Sequence, residues 1–361
     1  MKRIATLSIL AAACFGQGGA AKLYVGAWPQ RVLIVDEATG RLDGEIALKT
    51  GVARSIEATR DKKRLIVSTM KDSGIEIIDL ATRQVTSSFT LSEGNKKMRP
   101  QGLALDSQGK LLYTIITPVE KKIDRFEIGK RKWAVIDIDQ KKIARTVDIP
   151  PDMEQDVRGM LKLSPDGKFI YAFGQNILVF DTVDFKQVEK IDLQKPTFSQ
   201  ATDSLSMFGD MDRWGDPAIL QSVFFRTDNV VRRTVFGLAR FDLNKRTFDF
   251  QPIGPPPNQF SGVQVTPDQK TGYAISIDGQ HGDRVTQFMV FDMAKQKLVK
   301  RAEFAGRTRF TFAISSDGKK LLIYGAGNTI EFYDAATLKL EKTLDVNADM
   351  TTGLVVIPPG P

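Results

Sequence analysis

The chain of 361 residues contains one cysteine and one histidine. Cys14 lies in the N-terminal segment; if that segment is cleaved in the ordinary way, the mature protein has no disulfide, no thiolate metal site and no C-x-x-C-H haem attachment. No stretch is long and apolar enough to read as a membrane-spanning helix. A Gly-rich phosphate loop, a G-x-S-x-G elbow and an H-E-x-x-H pair are missing as well. A serine triad would have to use His281, and nothing around that residue recommends it. Paired carboxylates stay open, because 43 acidic residues allow many pairs whose separation a sequence does not give.

What is present is a soluble globular composition, 42% hydrophobic and 26% charged, in a chain long enough to bury a large core. The first residues, MKRIATLSILAAACFGQGGAAK, run from Lys2 and Arg3 through a short apolar stretch to small residues at Ala20 and Ala21. That layout is a secretory signal, expected to occupy residues 1–21, and the protein is expected to be exported to the periplasm or beyond. Residues 22–361 then form the mature domain. The alternative is a lipoprotein signal with Cys14 lipidated, but Ala11 stands where leucine is usual. The net charge of +8 suits acidic protein partners or anionic ligands; in an exported protein nucleic acid is not an expected target.

One phrase recurs through the rest of the chain. An Asp ends an apolar strand in VLIVD (Asp36), IEIID (Asp79), WAVID (Asp137), ILVFD (Asp181), GLARFD (Asp242), FMVFD (Asp292) and IEFYD (Asp334). Each is followed by a polar turn and another strand, and the interval runs from 42 to 61 residues. Upstream of most copies lies a second hairpin, as in LKLSPDGKFIYAF (161–173) and FAISSDGKKLLIY (312–324). Repeats of this length with alternating strands predict propeller blades of four strands each. The Asp residues read as turn formers, since Asp accepts hydrogen bonds from the backbone of its own turn.

Blade one opens at KLYVG (22–26), which corresponds to a second strand, and the tail TTGLVVIPP (351–359) is one strand without a blade. The two ends are expected to share blade one, giving a closed all-β, seven-bladed propeller with no free sheet edge.

In such a fold the loops between second and third strands share a face with the links into the next blade. These loops vary: AWPQ in blade one, 117–132 in blade three, 226–234 in blade five and 278–285 in blade six. Long variable loops on a rigid repeat are where binding residues usually sit. Arg54, Arg99, Arg158 and Arg309 stand at or just before inner strands, and two readings of them remain open. They could form a positive funnel around the channel mouth for a carboxylate-rich partner, or they could pair locally to hold blades together. Trp28 and His281 join the candidate partner-binding residues. The Asp210, Asp212 and Asp216 run around Trp214 lacks the Gly and Glu of a calcium loop, so no metal site is expected.

The segments VRGMLKLSPDGKFIYAF–GQNILVFDTVDFKQVEKIDL and RFTFAISSDGKKLLIYGAGNTIEFYDAATLKLEKTLDV resemble exported YVTN-type propeller repeats. With the long insertion in blade three, the irregular blade five and the ending FYDAATLKLEKTLDVNADMTT, the chain resembles the beta subunit of quinohemoprotein amine dehydrogenase. That resemblance implies a propeller with no redox cofactor of its own. A quinone-bearing small subunit and a haem-bearing subunit would be its partners. Stand-alone alternatives are a lactonase-like hydrolase using carboxylates and arginines, and a lipid-anchored scaffold or sensor.

Overall fold

In the computed structural model, residues 21–150, 153, 157, 160–174, 176–193, 201–204, 216–228, 232–306, 310–325 and 327–359 are described. Residues 1–20 of the expected signal segment, Cys14 among them, lie outside these. The strands of the described residues group into seven antiparallel sheets, arranged as a seven-bladed propeller. Blade two shows the pattern: Ala53–Ala58, Arg64–Thr69, Gly74–Asp79 and Gln84–Thr90, each paired with the next. Blade six departs from it, because its innermost strand is broken into Gln259–Phe260 and Gln264–Val265.

The ring closes where the sequence pattern requires it. Val355–Ile357 pairs antiparallel with Lys22–Ala27, matching Ile357 to Lys22 and Val355 to Tyr24. The tail stays bound beyond this short strand. Thr351 N–H donates to the Gly26 carbonyl at 2.7 Å, and Gly26 N–H donates to Thr352 Oγ1 at 2.8 Å. Trp28 N–H donates to the Asp349 carbonyl at 2.9 Å. Blade one is thus written by both ends of the domain, and the tail strand covers the inner edge of Lys22–Ala27.

The core is not one mass but a set of clusters, each between neighbouring blades. Leu23 and Val25 of blade one pack with Leu322 and Tyr324 of blade seven, while Ile34 and Val32 pack with Leu65 and Val67 of blade two. Between blades three and four, Trp133 stacks on Phe185 with centroids 5.0 Å apart and planes 8° from parallel. This arrangement explains a difference from strict alternation in the sequence. Second and third strands, such as Arg64–Thr69 and Gly74–Asp79, are buried along nearly their whole length because both faces meet a neighbouring blade. Outer strands such as Lys142–Asp148 alternate, since one face meets solvent.

All seven phrase-ending Asp residues act as turn formers. Asp36 Oδ1 accepts Thr39 N–H at 2.7 Å, and Asp79 and Asp334 accept Thr82 and Thr337 N–H at 2.7 and 2.8 Å. Asp137, Asp181, Asp242 and Asp292 accept equivalent backbone bonds. The fourth residue after each Asp has a positive φ, and only at Gly40 is it glycine; Arg83, Lys141, Phe185, Arg246, Gln296 and Leu338 bear the conformation with a side chain. The upstream hairpins repeat a second device. Thr59, Ser164, Thr266 and Ser315 donate their hydroxyls to Asp61, Asp166, Asp268 and Asp317 at 2.6–2.7 Å.

Candidate functional site

Two faces result. The turn face carries the Asp turns and the Ser/Thr–Asp hairpins, and the loop face carries the inter-blade links and the loops between second and third strands. On the turn face Lys22 bridges Asp36 at 2.7 Å and Asp43 at 2.8 Å, and Arg83 of blade two reaches Asp43 at 3.0 Å. The Lys22 ammonium beside Asp36 pulls that carboxyl down to about 2. Glu37 moves the other way: burial raises it, although Ser316 of blade seven donates to its carboxylate through backbone and hydroxyl.

Among the described residues, the loop face is dominated by blade three. Its second strand, Leu111–Lys121, outruns the standard length, and its first strand, Lys96–Leu105, runs alongside to pair Lys96 with Glu120. Phe126–Ile128 folds back on the other side, pairing Phe126 with Lys121 and Ile128 with Val119. The insertion is therefore a three-stranded arm. It is pinned at the tip by Lys122 N–H donating to the Arg125 carbonyl and at the base by Gly129 N–H donating to Pro118, both at 2.8 Å.

The arm's chemistry is unusual for a surface. Ile123, Phe126 and Ile128 are 107, 66 and 75% exposed. The arm's own carboxylates are occupied: Glu120 bonds Lys122 at 2.6 Å, and Asp124 and Glu127 pair with Arg125 at 3.2 and 2.8 Å. The Lys122 bond holds the Glu120 carboxyl below its usual range. Exposed Lys96, Lys121 and Lys130 then leave the surroundings of the apolar trio positive. Side chains of this kind, apolar at the centre and charged at the rim, are what a protein interface presents.

The residues singled out from sequence distribute unevenly. Arg54 and Arg99 sit on the inner strands of adjacent blades, both exposed. Arg54 Nη1 donates to the carbonyl of Pro100 at 2.8 Å, so part of its guanidinium joins blade two to blade three next to Arg99. Arg158 and Arg309 lie outside the described residues, as do Asp210, Asp212 and Trp214. Trp28, 60% exposed after the second strand of blade one, precedes a cis peptide to Pro29. The His281–Asp283 turn lies in the blade-six loop on the same face. Asp216, by contrast, is used locally, accepting Ala218 N–H at 2.8 Å.

Sequence reasoning missed two things. The apolar trio was signalled only by three hydrophobic residues set among charges in an insertion of strand length. On the turn face, a depression of about 380 Å³ gathers Glu57, Arg60, Lys62, Asp106 and Lys162 from the inner hairpins of blades two to four. No local pattern marks it, because its walls come from separate repeats. Among the described residues no group of three or more His, Cys, Asp or Glu is placed to hold a metal ion, and no helix is long and apolar enough to cross a membrane.

No protein-family model matches the chain, and no curated protein matches it by sequence. Solved structures match by shape. A functionally unknown protein from Desulfotomaculum acetoxidans superposes with a TM-score of 0.58 at 12% identity, over 95% of this chain and 100% of that one. Apo AztD from Citrobacter koseri gives 0.53 at 13% identity, over 94% and 98%. Kuenenia stuttgartiensis hydrazine synthase gives 0.52 at 16% identity, over 85% and 95%. Likeness at these identities establishes the fold and nothing finer: the chain is a seven-bladed β-propeller.

Proposed function

We propose that this chain is an exported, non-catalytic propeller that binds a partner protein through its loop face, with the blade-three arm as the principal contact. The observation carrying this reading is the arm itself: Ile123, Phe126 and Ile128 stand in solvent on an ordered three-stranded support, ringed by exposed lysines. Exposing such side chains on a well-paired support is costly for a protein with no partner to cover them. The positive rim favours an acidic partner.

At its most concrete, the reading is a beta-type subunit of a periplasmic quinohemoprotein amine dehydrogenase. The quinone and the haem would reside on partner subunits, and this chain would supply a docking platform. Support comes from the repeat order and the blade-three insertion. The test is capture of partners from native periplasm by the mature protein, with mass spectrometry and a haem absorption spectrum. The wild-type chain is expected to bring down a haem-bearing protein and a small quinone-containing polypeptide. The Ile123→Asp/Phe126→Asp/Ile128→Asp variant is expected to lose them. Capture of equal amounts by both would sink the arm as the contact, and a haem-free capture would sink the amine dehydrogenase reading.

A second reading, a lactonase-like hydrolase, draws on the charged depression of the turn face, which Glu57, Asp106, Arg60 and Lys62 line together. Lactone hydrolysis by the purified protein, abolished by Glu57→Gln or Asp106→Asn, would favour it over the docking reading.

A further inference from the structure

The broken inner strand of blade six has a physical consequence on the loop face. Gln259 and Phe260 pair with Ile277 and Ser276, and the ladder resumes only at Gln264 opposite Tyr273. Between them Ser261 satisfies Ile275 alone: Ser261 N–H donates to the Ile275 carbonyl at 2.8 Å, and Ser261 Oγ accepts Ile275 N–H at 2.7 Å. Residues 261–263 thereby leave the sheet without stranding the backbone of Ile275. The result is a cavity of about 730 Å³ among blades five, six and seven.

Its walls are Phe225, Pro257, Phe260, Ile277, Phe310 and Phe312. Asn258, Gln259, Ser261 and Gln264 contribute the polar edge, and no described lining residue carries a charge. Gln264 is 9% exposed, and its Nε2 donates to the Phe312 carbonyl of blade seven. That bond uses one N–H of the amide, and Oε1 is the acceptor this residue offers. A cavity of this size, apolar with a single buried amide, has the proportions of a small-molecule pocket.

We infer that this cavity binds a neutral, largely aromatic small molecule carrying one hydroxyl or N–H donor, which bonds Gln264. An anion is disfavoured, because it meets the negative faces of the rings and no described lining residue carries a positive charge to offset its desolvation. The site stands apart from the blade-three arm, so it does not depend on the partner-binding reading.

The experiment uses 2-naphthol as a fluorescent probe on the mature protein, with naphthalene and 2-naphthoate as comparators. Saturable binding of one naphthol per chain is expected, about tenfold tighter than naphthalene for the one added hydrogen bond, with naphthoate weaker than both. Ile277→Trp, which fills the cavity, is expected to abolish binding, as is Gln259→Trp at the exposed rim. The rim variant decides if the first fails to fold. The arm variant is expected to bind the probe as wild type does. Absence of saturable binding overturns the inference, and so does undiminished binding in a folded Gln259→Trp protein. Equal affinity for naphthol and naphthoate overturns it too.

Discussion

Replacing Leu354 by alanine perturbs the ring at the seam where its two ends meet. Leu354 is fully buried among Val25, Leu33, Tyr324 and Phe332, and its N–H donates to the Tyr324 hydroxyl at 2.8 Å. The alanine keeps that bond and loses the side chain, so the expected cost is that of a large-to-small core change, about 2–5 kcal/mol. In a chain of this size each kcal/mol moves the melting temperature by roughly 2 °C, giving an expected fall of about 4–10 °C. Truncation after residue 348 goes further. It removes Leu354, Val355 and Val356, each worth about 1.5–3 kcal/mol on burial, a loss comparable to the whole stability of many domains. That protein is expected to lose its cooperative transition. Thermal unfolding followed by circular dichroism reads both variants, with Leu340→Ala, at a 52% exposed position of blade seven, as the control. If Leu354→Ala melts no lower than Leu340→Ala, the tail strand does not hold the ring and the reasoning fails.

Three further outcomes follow from the same contacts. Asp36, with Lys22 beside it, sits at about 2, below the unfolded value. Its contribution is therefore fully present above about pH 4 and lost as pH falls toward 2, and Asp36→Asn should flatten the decline of melting temperature in that window. Glu76, fully buried, accepts Lys49 N–H, Thr50 N–H and the Thr50 hydroxyl at 2.7, 2.6 and 2.7 Å. Glu76→Ala strands these donors at the link between blades one and two and should cost roughly 2–5 kcal/mol by denaturant midpoint, with Gln losing less. A Cβ at Gly237 would lie 2.0 Å from the Gln251 carbonyl oxygen, whereas one at Gly254 meets nothing within 4 Å. Gly237→Ala should therefore unpair the outer strand of blade five and melt well below Gly254→Ala; equal melting would contradict the close approach.

The repeated Asp, its turn and the upstream hairpin could be read directly because each is local, whereas the Ser/Thr hydroxyl bond to Asp inside that hairpin came from the structure. The bonds that shape the Asp36 turn, from Thr39 and Gly40 to Asp36, join residues three or four apart, so the sequence window contains them. The missing first strand and the spare tail were also legible, since counting strands needs only their order. Even so, the counting could not tell that the tail would hold Gly26 and Trp28 beyond its three paired residues.

The site was less legible, for a physical reason shared by all its parts. Arg54 was marked as a candidate by its place before an inner strand, but the Pro100 carbonyl that engages it lies 46 residues away in the next blade. The cavity of blades five to seven arises because the ladder breaks at Ser261 and Phe312 arrives from the following repeat. The sequence by itself determined the blade count, the turns and the closure, through short-range hydrogen bonds and strand order. Tertiary structure alone decided which side chains of separate repeats meet and which of them stay exposed. A ring brings residues some fifty positions apart into contact, and no local pattern encodes that meeting.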